Sequence, residues 1–182
     1  MGFFDWLRRS PQGASSGQTQ NETGDPNMEA GMTKIDKPDF EITLPGMWHE
    51  RPSDEGTEFV NTSGGEQFVV SVLRCQKPLE MSELRPVIER LDLHRRNSLG
   101  TLSQGQAKCS PSQFRATDQE IESRFDGVDL QNGVQFSIAI RGCASKVLTF
   151  SLYRYSVADV GVPFTIYAGV IFDLLTVKSK SL

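Results

Sequence analysis

Phe40-Glu-Ile-Thr-Leu-Pro-Gly-Met-Trp48 is the stretch from which the rest of the chain can be placed. Apolar side chains alternate at Phe40, Ile42 and Leu44, the spacing that puts every second residue on one face of a strand. Pro45-Gly46 then turns the chain, and Trp48 follows at once. The stretch reads as a half-buried strand ending in a tight turn with a large aromatic behind it. Upstream, residues 10–37 are rich in Ser, Gly, Gln, Asn, Thr and Pro, with almost no large apolar side chain. That composition cannot bury enough surface to offset chain entropy. Residues 1–37 are therefore expected to form a flexible leader, and 38–182 a single domain whose body spans about 38–178.

Downstream the pattern alternates between strands and helices. Glu58–Asn61 reads as a short strand, with a turn at Ser63-Gly64-Gly65. Gln67–Cys75 carries apolar residues on both faces, as a strand inside a sheet does. Leu84, Val87, Ile88 and Leu91 recur at helical spacing, so 82–99 is expected to be a helix. Ser82 is its expected N-cap, Pro86 is expected in its first turn, and Gly100 is its expected stop. Gln113–Thr117, Glu120–Asp126, Val134–Arg141 and Lys146–Tyr155 read as strands. Gly127, Asn132-Gly133 and Gly142–Ser145 read as the turns between them. Short turns between neighbouring strands imply antiparallel pairing. Pro163 is expected to open a last helix through Leu175, apolar around most of its circumference and packed on the sheet. This order makes an α+β fold, an antiparallel sheet covered by helices.

Composition excludes several functions. The chain has 182 residues, a net charge of −4 and a pI near 5.2, with no long basic run, so nucleic acid is not an expected partner. No stretch approaches the roughly 18 apolar residues of a membrane span. In Met1–Arg9 the arginines follow a short apolar block, the reverse of a secretory signal, so the expected location is cytoplasmic. Cys75, Cys109 and Cys143 are scattered and odd in number, which fits a reducing compartment better than a disulfide framework. His49 and His94 have no metal-ligand spacing. Asp126, Asp129 and Asn132 miss the spacing of a calcium loop, and turn chemistry accounts for them. Ser63-Gly64-Gly65-Glu66 lacks the Lys-Ser or Lys-Thr of a phosphate loop. No cofactor, metal or catalytic residue is expected, and oligomeric state is not readable.

The candidate contact residues are aromatic. Phe3, Phe4 and Trp6, with Leu7, form an apolar block at the head of the leader. It reads either as a docking peptide or weak membrane-surface anchor, or as an aromatic but disordered end. Trp48, Tyr153, Tyr155 and Tyr167 could line an interface, because aromatics are enriched at binding hot spots. Core packing is the competing reading for each, and the stronger one for Trp48.

Phe40–Trp48, the late strand Val147-Leu-Thr-Phe-Ser-Leu152 and the ending Ile171-Phe-Asp-Leu-Leu-Thr-Val177 occur in an order that resembles the PsbP-like and Mog-like superfamily. Within it, the bacterial DcrB-like domains are nearest in pattern. The resemblance implies an α/β/α sandwich and no shared active site. It also implies binding roles, as in extrinsic photosystem subunits, a regulator of a nuclear transport GTPase and adaptors for type VI secretion effectors. The expected function is thus a non-catalytic protein-binding module using the open face of its sheet, as an adaptor or chaperone for a secreted effector. The alternatives are an immunity protein that blocks a toxin and an enzyme pairing one of the cysteines with a histidine.

Overall fold

The structure, a computed structural model, describes residues 31–53, 56–61, 65–155 and 163–178. Among them run β1 (Met32–Asp36), β2 (Phe40–Pro45), β3 (Trp48–Ser53), β4 (Gly56–Asn61), β5 (Glu66–Arg74), α1 (Met81–Leu102), β6 (Ala107–Cys109), β7 (Gln113–Ala116), β8 (Ile121–Asp129), β9 (Val134–Cys143), β10 (Lys146–Arg154), α2 (Phe164–Asp173) and β11 (Thr176–Val177). The large sheet has the order β3-β4-β5-β10-β9-β8-β6, with β7 also on β8, and a small sheet has the order β1-β2-β11. Every pairing is antiparallel. The α+β architecture expected from the sequence is the one found, and β5 lies inside the sheet as its two apolar faces require.

Strand periodicity sorts side chains between two cores. Phe68, Val70, Leu148, Phe150 and Leu152 face the small sheet and α2, where they meet Phe40, Ile42, Leu44, Phe164 and Phe172. Val69, Phe125, Phe136, Ile138, Ile140 and Val147 face the other way, against Leu84 and Ile88 of α1. The small sheet and α2 thus form one outer layer, α1 the other.

Four expectations change. The stretch expected to be a flexible leader contains β1, whose register Thr33↔Leu44 and Ile35↔Ile42 places Ile35 in the core. One buried apolar residue in a polar edge strand leaves little trace in composition. Residues 1–30 lie outside the described residues. α1 begins one turn's fraction earlier than Ser82: its N-cap is Glu80, whose N–H donates to the Glu83 carboxylate at 3.0 Å. Pro86 falls inside the helix, and Gly100 does not stop it; the C-cap is Ser103. Finally, Gly127 and Gly142 lie within β8 and β9 rather than in turns. A Cβ at Gly127 would stand 2.5 Å from the Lys108 carbonyl, and one at Gly142 would stand 2.8 Å from Leu84 and Ile88. Both glycines let a neighbour approach the sheet closely. β3, β6 and β11 are too short or too polar to show periodicity in the sequence.

Candidate functional site

α2 is built from Phe-Thr-Ile-Tyr-Ala-Gly-Val-Ile-Phe-Asp, apolar on both sides. Phe164, Ala168, Ile171 and Phe172 enter the core. Ile166, Val170 and Leu174, spaced i, i+4 and i+8, point outward and remain 58%, 57% and 49% exposed. Such a stripe on a surface helix is not explained by folding, which only needs the inner face. The expected packing of this helix holds for one side only. The helix ends at Asp173, with Leu175 turned into the core.

The helix carrying this ridge is held in place by buried cations. Arg141 of β9 donates from Nη1 to the Leu175 carbonyl at 2.8 Å and from Nη2 to the Phe172 carbonyl at 2.6 Å. It thereby caps a helix whose last turn has no basic residue of its own. Arg154 of β10 donates to Glu66 Oε1 from Nε at 3.0 Å and from Nη2 at 2.8 Å, and its guanidinium stacks 4.7 Å from the Tyr167 ring centre. The Tyr167 hydroxyl donates to Glu66 Oε2 at 2.9 Å. Arg124 of β8 reaches the Thr165 carbonyl at 3.4 Å and lies over Phe172. The ridge is therefore pre-positioned, which lowers the ordering cost of any contact made through it.

Beside the C-terminal end of α2 lies a pocket of about 330 Å³, lined by Arg115, Thr117, Glu120, Glu122, Arg141 and Val177 among others. Arg141 Nε sits 2.5 Å from Glu122 Oε2 and 3.7 Å from Glu120 Oε1, while its Nη atoms are engaged by the helix carbonyls. Two carboxylates share one guanidinium. Burial pushes the Glu120 carboxyl above its ordinary range; Arg141 works against this and Glu122 adds to it. Arg115, on the pocket's rim, reaches Asp173 at 3.9 Å, which joins pocket to ridge.

The aromatic residues singled out in the sequence do not converge. Trp48 is buried, with its indole N–H donating to the Pro45 carbonyl at 2.8 Å. Tyr153 is buried beneath α1, its hydroxyl accepting from Arg95 Nη2 at 2.7 Å. Tyr155 stacks on Tyr153 and bonds Gln67. Burial, then Tyr153 and Glu58, push its phenol well above the ordinary value. Tyr167 is half-buried, its phenol likewise raised by burial and then by Glu66. Trp48 and Tyr153 thus present no contact surface, because their parity on the strands turns them inward. The sheet face carrying Tyr153 is covered by α1 rather than open. Phe3, Phe4 and Trp6 lie outside the described residues. Ile166, Val170 and Leu174 escaped notice because an all-apolar helix reads as fully buried. The available signal was geometric: a helix on the outside of a layered fold has only one side to bury.

The thiols are set for packing rather than attack. Burial, then proximity to Cys143, raises Cys75, and burial raises Cys109. His49 and His94 are both exposed, and Cys109 on β6 occupies the opposite edge of the large sheet from His49 on β3. Among the described residues, no three His, Cys, Asp or Glu side chains are placed to hold a metal ion, and no helix is long and apolar enough to cross a membrane.

Comparison with known proteins bears on the fold. No family model and no curated protein sequence matches the chain. Solved structures do. The solution structure of cyanobacterial PsbP (CyanoP) from Synechocystis superimposes with a TM-score of 0.64 at 12% identity, covering 88% of this chain and 98% of that one. The Ran-binding protein Mog1p of Saccharomyces cerevisiae does so with a TM-score of 0.54 at 10% identity, covering 80% and 95%. The fold is that of PsbP and Mog1p. At such identities the likeness carries the sheet, its layers and its order of elements, and no residue of the α2 ridge.

Proposed function

We propose that this chain is a non-catalytic protein-binding module that takes an apolar segment of a partner along the outer ridge of α2, in the cytoplasm, as an adaptor or chaperone for a secreted effector. The observation that carries the reading is the exposed line Ile166, Val170, Leu174 on a helix whose carbonyl end and inner face are locked by Arg141, Arg154 and Glu66. Apolar contact along one face of a helix is a recurrent mode of protein recognition. That Mog1p, of the same fold, is a Ran-binding protein is compatible with a protein partner.

The test is a photo-crosslinking residue placed at position 170 or, as control, at exposed Leu93 on α1. The expected result is one dominant protein adduct from position 170 and none from position 93. Mapping the adduct to an apolar segment favours the chaperone role, whereas an adduct in a toxin's catalytic cleft favours an immunity role. Equal labelling from both positions, or no adduct from 170, would remove the ridge as a binding surface.

A further inference from the structure

We propose that residues 3–9 of this chain seat on the outer ridge of α2 in cis, with Phe3, Phe4, Trp6 and Leu7 against Ile166, Val170 and Leu174, and Arg8-Arg9 toward the carboxylates of Asp173, Glu120 and Glu122. The inference rests on the ridge being a contact surface, and adds that its first occupant is the chain's own leader.

The two surfaces match in order as well as in chemistry. The leader has an apolar block followed directly by two arginines. The ridge has an apolar line from Ile166 to Leu174, and at its end come Asp173 and a pocket in which Glu120 and Glu122 share Arg141. Residues 3–9 as a helix would span about 10 Å, and the ridge from 166 to 174 spans about 12 Å. Around this end three carboxylates, Asp173, Glu120 and Glu122, meet two guanidiniums, Arg115 and Arg141, an excess of one negative charge that an added cation complements.

Size argues for a tethered occupant over a second copy. Two copies meeting ridge to ridge would touch through only Ile166, Val170 and Leu174 on each side, far short of the roughly 1,200 Å² that a stable complex buries, whereas a different partner can extend its contact beyond the ridge. A tethered segment needs much less, because its effective concentration is in the millimolar range. Residues 10–30 are a polar stretch, and a flexible coil of that length would have a root-mean-square reach of about 25 Å. A leader seated this way would shield the ridge until a partner with a stronger apolar segment displaces it.

The experiment compares amide spectra of the full chain and a variant with Phe3→Ser, Phe4→Ser, Trp6→Ser and Leu7→Ser, over a range of protein concentrations. The expected result is a set of shift differences confined to residues 120–122 and 164–174, independent of concentration. No difference overturns the proposal. So do differences that grow with concentration, which assign the ridge to a second copy, or differences that appear only with anionic vesicles, which make the block a membrane anchor. Independently, Val170→Asp in the full chain should shift tryptophan emission to the red, because Trp6 is released while Trp48 stays buried; unchanged emission overturns the proposal. Repeating the crosslinking at position 170 in the serine variant separates the two readings. Persistent shifts with no adduct leave the leader's seat and remove the partner, whereas an adduct without shifts does the reverse.

Discussion

α1 and α2 lie on opposite sides of one sheet and treat their outer surfaces in opposite ways. α1 buries Leu84 and Ile88, and covers most of its solvent side with charge, including Glu83, Arg85, Glu89 and Arg90; its exposed Leu93 and Leu102 stand apart and form no continuous line. Arg85 and Glu89 pair along it at 2.9 Å. α2 buries Phe164, Ala168, Ile171 and Phe172, yet shows Ile166 and Val170 to solvent. The contrast extends to attachment. α1 carries its own buried anchor: Asp92 accepts from Ser123 at 2.7 Å, from Ser112 at 2.8 Å and from Arg96 at 2.9 Å. α2 carries no charge toward the sheet and is held by cations that the sheet supplies, Arg141 and Arg154. A helix designed only to close a core needs what α1 has. α2 is instead a platform, fixed from below and apolar above.

That contrast can be broken by substitution, and the largest effect should come from α2's anchor. Arg154→Met strands the buried Glu66 carboxylate and should cost about 3–5 kcal/mol in urea unfolding. A cost below about 1 kcal/mol would mean that α2 is held by apolar contact alone. Asp92→Ala should cost less, about 2 kcal/mol, since it leaves the Ser112 and Ser123 hydroxyls without their acceptor. Its effect should fall on α1, read as faster amide exchange there with α2 unchanged.

Acid sharpens the comparison on the α2 side. Burial pushes the Asp39 carboxyl up, but hydrogen bonds from Lys146 at 2.9 Å and Arg74 at 2.7 Å outweigh it and hold the group below the ordinary carboxylate range. A carboxyl lowered in the folded state contributes stability above its unfolded value, near pH 4, and loses it as pH falls through the folded value. The chain should therefore lose stability below about pH 4, and Asp39→Asn should flatten that part of the profile. An unchanged slope would exclude Asp39 as the group responsible.

Smaller effects complete the series. Glu83→Ala removes the acceptor of the Glu80 N–H at the start of α1 and should cost about 1 kcal/mol. Ile166→Ser with Val170→Ser should change stability by no more than about 0.5 kcal/mol, because neither side chain is in the core. A cost above about 2 kcal/mol for that pair would show that the ridge serves folding, and it would end its reading as a surface.

Much of this architecture was legible in local pattern. Phe136, Ile138 and Ile140 on one face of β9, or Leu148, Phe150 and Leu152 on one face of β10, follow from a period of two. The same periodicity could not show that Gly127 and Gly142 are strand residues, since their role is to admit Lys108 of β6 and Leu84 and Ile88 of α1. Nor could it find β1, in which Ile35 alone is buried. The tyrosines misled for a related reason: hot-spot chemistry and core chemistry use the same side chains. Tyr153 was assigned to one or the other by which face α1 covers.

From its residues the chain already specifies an α+β antiparallel fold, because alternation and helical spacing are local and each segment meets them alone. It also specifies a mildly acidic protein without the metal, phosphate or nucleophile motifs that mark common chemistries. The α2 ridge is different. Whether Ile166, Val170 and Leu174 are buried depends on the number of layers stacked on the sheet, and nothing within ten residues of them encodes that number. Long-range packing places a single layer there, and so turns an apolar helix into a surface.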